Sequence, residues 1–316
     1  MKKSCLIAFL VSFFLFPTIS SFASKSSLAL ADDSLLEHGG VRLWPASKIG
    51  DNAHRVKLFV YIPKSAESIS YNKPNPATIS LKCPAIIIFP GGSYCYLGIN
   101  VEGHEIAKFM RSNGVAAFVL RYRTGMYGNH YPDAYEDYKH TVDYIKAGVR
   151  CGKWNIDTTK IGVIGFSAGG HLAGCAALEN NPLYRPAFAG MIYPVVSMNK
   201  PWSHKKSRRN FLHGAGYLCN WTTKRDKKEM DMYSLEDHVY PGMAPVFITQ
   251  CKDDKTVDIQ NSVTFIEKLK QTNVPNCEWH IFETGGHGFG LNPAAGSDAT
   301  EWSKMFIKWL EKLWQR

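Results

Sequence analysis

Five short, uninterrupted apolar runs punctuate the middle of the chain: Ala85 to Phe89, Val115 to Leu120, Ile161 to Ile164, Met191 to Val196 and Val246 to Ile248. Runs of this kind fit strands buried on both faces, as the strands of a parallel sheet are. Between them the apolar positions switch to helical spacing. Ala134, Tyr138, Val142, Ile145 and Val149 recur at intervals of four and three, and Ile106, Phe109 and Met110 form a shorter stripe. Trp302, Phe306, Trp309, Leu310 and Leu313 predict a strongly amphipathic C-terminal helix whose aromatic rings serve core packing. Strands alternating with helices imply an α/β fold with a mostly parallel central sheet flanked by helices. Ahead of this region Val56, Leu58, Val60 and Ile62 alternate with Lys57, Phe59 and Tyr61, which predicts a half-exposed strand ending at Pro63. Residues 65–82, with Pro74 and Pro76, read as a loop, and no internal repeat is present.

The length of 316 residues, 45% hydrophobic and 20% charged, suits one large domain and leaves little room for a second. The chain opens with Lys2 and Lys3, an apolar run from Cys5 to Phe16, then Pro17 and small residues ending in Ser21-Phe22-Ala23. These are the three zones of a signal peptide, 1–23, with cleavage expected after Ala23; Ala29-Leu30-Ala31 is a second cleavage site farther from the apolar run. A membrane-retained helix needs ~20 apolar residues, so no stable membrane insertion is expected once the leader is removed. The expectation is a secreted or periplasmic mature chain, 24–316, forming a single catalytic domain. Removal of Cys5 leaves seven cysteines, an odd number with no C-x-x-C pair, so zinc-ribbon and thioredoxin-type readings have no support. Most are read as buried small apolar residues, with no disulfide assignable.

The net charge of +10 concentrates in two short patches, His204 to Arg209 (HKKSRR) and Lys224 to Lys228 (KRDKK), rather than in one sustained stripe. No nucleic-acid partner is therefore expected. The patches read as solvated surface, or, more sharply, as a means of attracting an acidic polymer such as uronate-bearing polysaccharide. Both lie in a polar stretch, 199–236, which carries Trp202, Phe211, Tyr217, Trp221 and Tyr233 and reads as an ordered, cap-like insertion over one end of the sheet.

The strongest local signal is "KIGVIGFSAGGHLAG", Lys160 to Gly174. It contains G-x-S-x-G as Gly165-Phe166-Ser167-Ala168-Gly169, preceded by a buried-strand run and followed by a helix-compatible segment, the context in which that motif presents a nucleophilic serine. Neither G-x-G-x-x-G nor G-x-x-x-x-G-K-[ST] is formed by these glycines, so dinucleotide and phosphate loops are excluded. A serine hydroxyl needs a base within hydrogen-bond reach and a carboxylate that holds the base in the right tautomer. In the order serine, acid, histidine, the eligible histidines are His204, His213, His238, His280 and His287. His287, in "ETGGHGFG" after the apolar run Trp279 to Phe282, has three glycines within two residues of it; His280 lies inside that run as a strand residue, and His171 reads as a helix-start side chain near the site. An acyl-transfer site also needs backbone N–H groups aimed at the developing oxyanion. "IIIFPGGSYCYLG", Ile86 to Gly98, runs from a strand into Pro90-Gly91-Gly92-Ser93, and the candidate donors are the N–H groups of Gly92 and Ala168, with Ser93 as a third.

The segments "LWPASKIGD", "FPGGSYCYLGINVEGHEIAKFMRSNGVAAFVLRYR", "KIGVIGFSAGGHLAG", "CKDDKTVDIQNSVTFIEKLKQTNVP" and "HIFETGGHGFGLNP" together resemble the α/β-hydrolase esterases of the acetylxylan esterase and feruloyl-esterase-like (BD-FAE-like) group, relatives of the hormone-sensitive-lipase-like enzymes. The resemblance spans most of the mature chain. It implies an α/β-hydrolase fold, a serine esterase acting through an acyl-enzyme, no metal or organic cofactor, and an acylated carbohydrate as substrate, with acetyl ahead of feruloyl. Ser93 stands where the family usually has a third glycine, which puts a side chain beside the oxyanion position, and Asp258 stands where the family usually has proline.

Three aspartates follow the last of the five apolar runs in "QCKDDKTVD". The family's pattern of an acid, two residues and a valine is met by Asp254 with Val257, which implies Asp254 as the acid orienting His287. Asp253 is then a turn residue, Asp258 an N-cap for the amphipathic stretch Ile259 to Leu269, and Glu283 an outsider. Two rival readings remain at this stage. One is a peptidase of prolyl-oligopeptidase type, which usually adds a propeller that this length does not accommodate; the other is a non-catalytic binding protein on the same fold.

Overall fold

Isoleucine, valine and phenylalanine fill the central strands because both faces of the sheet are covered. In the computed structural model, which describes residues 39–64, 82–215 and 224–315, Ile87 and Phe89 face one apolar layer while Ile86 and Ile88 face the other, and all four are fully buried. The described residues all belong to one compact unit, Ala31–Arg316. The expected leader, the loop from 65, and Tyr217, Cys219 and Trp221 lie outside the described residues.

The strands run β1 (Val41–Arg42), β2 (Lys57–Tyr61), β3 (Cys83–Phe89), β4 (Ala116–Arg121), β5 (Ile156–Phe166), β6 (Ala189–Ile192), β7 (Val246–Cys251) and β8 (Glu278–Phe282). They form one sheet in the order β1-β2-β4-β3-β5-β6-β7-β8. Pairing is antiparallel at β1/β2 and β2/β4 and parallel from β4 to β8. The helices are α1 (Ala46–Ile49), α2 (Glu105–Ser112), α3 (Asp133–Arg150), α4 (Ala168–Ala177), α5 (Lys205–His213), α6 (Lys224–Met232), α7 (Gln260–Thr272) and α8 (Trp302–Trp314). Tyr138 and Ile145 of α3, Leu172 and Ala173 of α4 and Phe265 and Ile266 of α7 pack in one layer. Ile106 and Met110 of α2 and Trp302, Phe306 and Trp309 of α8 pack in the other. This is an α/β-hydrolase architecture: a mostly parallel sheet between two helical layers.

Two strand expectations need correction. β2 is not half-exposed: it lies between β1 and β4, and its second face, Phe59 and Tyr61, is buried in the layer that holds α2. The run Met191 to Val196 does not stay in the sheet. β6 ends at Ile192, Tyr193 turns with φ of 39°, and Val195 donates its N–H to the Ser167 carbonyl instead of to a strand neighbour. Its apolar residues remain buried, so composition alone could not separate the strand from the turn that follows it.

The C-terminal helix shows how sequence chemistry closes the second layer. Phe306 lies 5.3 Å, ring centre to ring centre, from Phe247 of β7. It also rests against Gly190 of β6, where an added Cβ would stand 3.0 Å from the ring. Phe306→Ala leaves a cavity between β6, β7 and α8, and is expected to lower unfolding free energy by about 3–5 kcal/mol in urea titrations at unchanged m-value.

Candidate active site

The ends of β3, β5, β7 and β8 supply the site, at the carboxyl edge of the sheet where open α/β folds bind ligands. Register decides the first juxtaposition. Phe89 pairs with Gly165, so the turn after β3 runs beside the turn after β5. There Ser167 has φ of 54° and ψ of −117°, a conformation that costs a residue with a side chain about 1–3 kcal/mol. Surrounding bonds hold it: its N–H donates to the Ile192 carbonyl at 3.0 Å, and its own carbonyl accepts from Val195 at 3.0 Å and His171 at 3.2 Å. Glycine is required on both sides. A Cβ on Gly165 would lie 1.9 Å from the Gly169 oxygen, and one on Gly169 would lie 2.0 Å from the Phe89 oxygen.

Ser167 Oγ lies 2.9 Å from His287 Nε2, and His287 Nδ1 lies 2.7 Å from Asp254 Oδ2. A carboxylate only accepts, so the bond to Asp254 places the ring proton on Nδ1 and turns the Nε2 lone pair toward the serine hydroxyl. The Asp254 side chain is fully shielded from solvent. Its Oδ1 accepts from the N–H groups of Thr256 at 2.8 Å and Val257 at 2.9 Å. Gln250 Nε2 reaches Oδ2 at 3.2 Å.

The other acids of "QCKDDKTVD" have separate partners. Asp253 accepts from the N–H of Gly286 at 2.8 Å and of Gly285 at 3.2 Å, so it anchors the backbone that carries His287, a larger part than a turn residue. Asp258 accepts from the N–H of Gln260 at 2.9 Å at the start of α7, the capping interaction expected of it. Glu283 is exposed and pairs with Lys252. Asp298 adds a further anchor by accepting from the N–H groups of Glu283 and Thr284, bonds that hold its carboxyl below the usual range.

The remaining histidines stand away from the serine hydroxyl. His280 bonds Glu278 within β8, His213 lies 3.5 Å from Asp226, and His238 bonds the Asp231 carbonyl. His204 bonds Ser207 at the start of α5. His171 is fully buried in α4 and bridges Tyr94 OH, at 2.9 Å from Nδ1, to the Tyr233 carbonyl, at 2.8 Å from Nε2. The carbonyl requires Nε2 to donate, so Nδ1 accepts from the tyrosine. Burial pushes this imidazole down to about 4, opposed only in part by the Tyr233 bond.

The turn after β3 is shaped by backbone conformations that favour glycine. Gly92 has φ of +133°, and a Cβ there would lie 2.0 Å from the Tyr96 oxygen. Ser93 and Tyr94 follow with φ of 58° and 56°. Among the described residues no protein acceptor takes the Gly92 or Ser93 N–H. The Ala168 N–H, at the first position of α4, precedes the helical carbonyl ladder.

Three supports of this turn were not anticipated from sequence. A π-helical turn, Asn100–His104, carries Glu102 inward, where its Oε2 accepts the Gly91 N–H at 2.7 Å. Its Oε1 accepts from Tyr193 OH at 2.8 Å, and the same tyrosine oxygen accepts the Gly290 N–H at 3.1 Å. One buried carboxylate thereby links the loops after β3, β6 and β8. Burial raises its pKa, against the Tyr193 and Gly91 bonds and the nearby His287. From the inserted stretch, Asn210 donates to the Ser93 carbonyl at 2.8 Å, and Phe211 packs between Tyr94, Tyr131, His171 and Tyr233. All six described cysteines are free thiols, with Cys83 and Cys251 buried and Cys151 exposed.

The sequence profile of the BD-FAE family matches residues 74–269. The chain belongs to the BD-FAE family. The matched region contains Gly92, Ser93, Ser167, Ala168 and Asp254, whereas His287 lies beyond it and is joined to them by the geometry above. This BD-FAE member is 31% identical over 211 residues to an acetylxylan esterase of Xylanibacter ruminicola, covering 66% of this chain and 41% of that one. It is 31% identical over 221 residues to endo-1,4-beta-xylanase B of Butyrivibrio fibrisolvens, covering 66% of this chain and 33% of that one. The chain thus spans less than half the length of either curated relative. Among solved structures it is similar to the acetyl ester-xyloside bifunctional hydrolase of Caldicellulosiruptor lactoaceticus, with a TM-score of 0.69 and 28% identity over 89% of this chain and 98% of that one.

His171 gives the site's scaffold a pH dependence. Its folded pKa lies below its unfolded value, so the unfolded state binds the extra proton first as pH falls. Its stabilising contribution is complete above about pH 6.5 and is lost progressively down to about pH 4, roughly 3 kcal/mol in all. His171→Gln keeps one donor and one acceptor without titrating. Denaturant titrations between pH 7 and pH 4 are expected to show a shallower loss for that variant than for the unaltered protein.

Proposed function

We propose that this chain is an exported serine esterase that removes acyl groups, acetyl foremost, from carbohydrate such as xylan. The observation that carries the reading is the continuous hydrogen-bond relay from Ser167 through His287 to a solvent-shielded Asp254. Membership of the BD-FAE family and similarity to proteins named for acetylxylan and acetyl-ester hydrolysis support both the ester and the sugar.

In the proposed mechanism Ser167 Oγ attacks the ester carbonyl while its proton passes to His287 Nε2. Asp254, hydrogen-bonded to Nδ1, stabilises the imidazolium and holds the ring in place. The oxyanion is received by the N–H groups of Gly92 and Ala168, with Ser93 as a third donor. The departing sugar hydroxyl takes the proton from Nε2. Water, deprotonated by the same nitrogen, then attacks the acyl-enzyme, and collapse of the second tetrahedral intermediate returns the proton to Ser167 and releases the carboxylic acid. Every proton is carried by this chain's own side chains and water.

We further propose that residues 24–316 act as one catalytic domain, with 199–236 forming a cap beside the turn after β3. The contacts of Asn210 and Phe211 support that placement. Export rests on the leader read from residues 1–23. Among the described residues no helix is long and apolar enough to cross a membrane.

Acetate release from acetylated xylan and from a small aryl acetate tests the reading directly. Ser167→Ala is expected to abolish both, and undiminished activity in that variant would sink the nucleophile assignment. Asp254→Asn should lower kcat by roughly 10⁴-fold, whereas Asp253→Asn, which keeps one oxygen to accept a loop N–H and loses only the second anchor, should lower it far less. Glu102→Gln keeps the shape of the side chain but sets an amide against either the Gly91 N–H or the Tyr193 hydroxyl. It is expected to lower kcat by roughly 10²-fold with little change in KM, as a misplaced oxyanion turn would.

A further inference from the structure

A cleft of about 510 Å³ opens beside the Asp254 loop, between residues 201–206 leading into α5 and residues 252–259 following β7. Its volume falls within the range of small-ligand sites, roughly 300–1,000 Å³. Lys205, Lys206, Lys252 and Lys255 line it, together with Trp202 and His204. Its two carboxylates are already engaged, Asp254 by His287 and backbone N–H groups and Asp258 by the Gln260 N–H. Lys252 pairs with Glu283, and Lys206 lies 5.6 Å from the centre of the Tyr96 ring. Among the described residues, neither Lys205 nor Lys255 has a carboxylate partner. The cleft therefore has a surplus of positive charge. His204, at its wall, is held below the ordinary imidazole value chiefly by burial, then by His287 and Lys206, with Asp254 opposing.

The position of the cleft matters as much as its charge. Tyr96 is 51% exposed and its ring lies against the Gly92 turn, 3.1 Å from where a Cβ on Gly92 would stand, so Lys206, over that ring, links the cleft to the turn assigned to the oxyanion. Trp202, whose Nε1 donates to Ser197 Oγ at 3.3 Å, is a half-buried ring held at the wall of the cleft and offers a face on which a sugar can lie.

We propose that this cleft binds the carboxylate of a uronic-acid residue carried by the same polysaccharide whose ester is presented to Ser167. The proposal rests on the esterase reading for the identity of that polysaccharide. Lysine ammonium groups form charge-assisted hydrogen bonds with a carboxylate, whereas a neutral sugar offers them only hydroxyls. Because ester and uronate lie on one chain, engagement of the first makes binding of the second intramolecular, so modest contacts add substantially to affinity. The cleft thus selects esters near acidic substituents rather than acetylated polysaccharide at large.

The test compares an acetylated glucuronoxylan with the same polymer after its uronates have been reduced to neutral sugars. The unaltered protein is expected to show a kcat/KM about tenfold higher on the charged polymer, with the ratio falling as salt shortens the screening length. In Lys205→Glu/Lys255→Glu the ratio should drop to about one or below, and in Lys205→Gln/Lys255→Gln it should fall between. Equal ratios in all three proteins overturn the proposal. Binding to the two polymers by Ser167→Ala, followed by affinity electrophoresis, removes hydrolysis from the measurement. Preferential retardation by glucuronoxylan supports the cleft even if aryl acetate is not hydrolysed, an outcome that would defeat the esterase reading alone. Retardation by DNA equal to that by glucuronoxylan overturns the proposal and marks the face as non-specifically basic.

Discussion

Everything at the carboxyl edge of the sheet depends on one close approach of backbone to backbone, where the end of β3 meets the start of α4. The Phe89 carbonyl lies where a Cβ on Gly169 would be, and the Gly169 carbonyl lies where a Cβ on Gly165 would be. Only with hydrogen at both positions can α4 begin directly over the β3–β5 junction. That placement brings the first N–H of the helix, the Ser167 hydroxyl and the Gly92–Ser93 turn to one point. The serine's unfavourable backbone conformation follows from it, since a strand that must become a helix within one residue has few dihedral choices. The strain is tolerated because Ile192, Val195 and His171 tie the residue's own N–H and carbonyl.

From that junction outward the site is held by buried polar groups that connect loops far apart in sequence. Glu102 joins three of them through the Gly91 N–H and Tyr193. His171 joins Tyr94, behind the same turn, to Tyr233 in the inserted stretch. A buried polar group with all its partners rigidifies its surroundings, and one left without a partner costs far more than it gave. The turn after β3 therefore has one preferred position, set from below by a carboxylate and from the side by Asn210 and the Phe211 cluster. Its neighbours Ser93 and Tyr94, both with positive φ, are kept there by the same contacts.

How much of this was legible in the sequence depends on the range of the interactions concerned. The parallel core was readable because continuous apolar runs are a local consequence of burial on both faces, and Ser167 because the elbow is encoded within five residues. His287 was readable from its glycines, and Gly285, Gly286, Gly288 and Gly290 all adopt positive φ. Asp254 was singled out only by resemblance to a family pattern, since nothing in three nearby aspartates ranks them. Glu102 was not legible at all. Its partners lie 11 and 91 residues away, and in "INVEGHEIAK" it reads as one more acidic residue at a helix start. The end of β6 was misread for a related reason, because residues 193–196 stay buried after leaving the sheet and hydropathy does not record which way a backbone turns.

The aspartate pair after β7 shows what the fold adds to the sequence. Successive side chains in an extended or turning segment point in different directions, so two adjacent carboxylates cannot serve one imidazole. Here they serve one loop in two ways. Asp253 takes the N–H groups of Gly285 and Gly286, which fixes the backbone immediately before His287, while Asp254 takes Nδ1 of the ring itself. Backbone position and ring orientation together determine where Nε2 points, and it points at Ser167 Oγ from 2.9 Å. Either carboxylate alone would leave one of those freedoms open: without Asp253 the glycine-rich loop could move the ring bodily, and without Asp254 the ring could rotate or change tautomer in place. The acidic cluster is a two-point clamp, and its adjacency in sequence is what lets both points close on a single histidine.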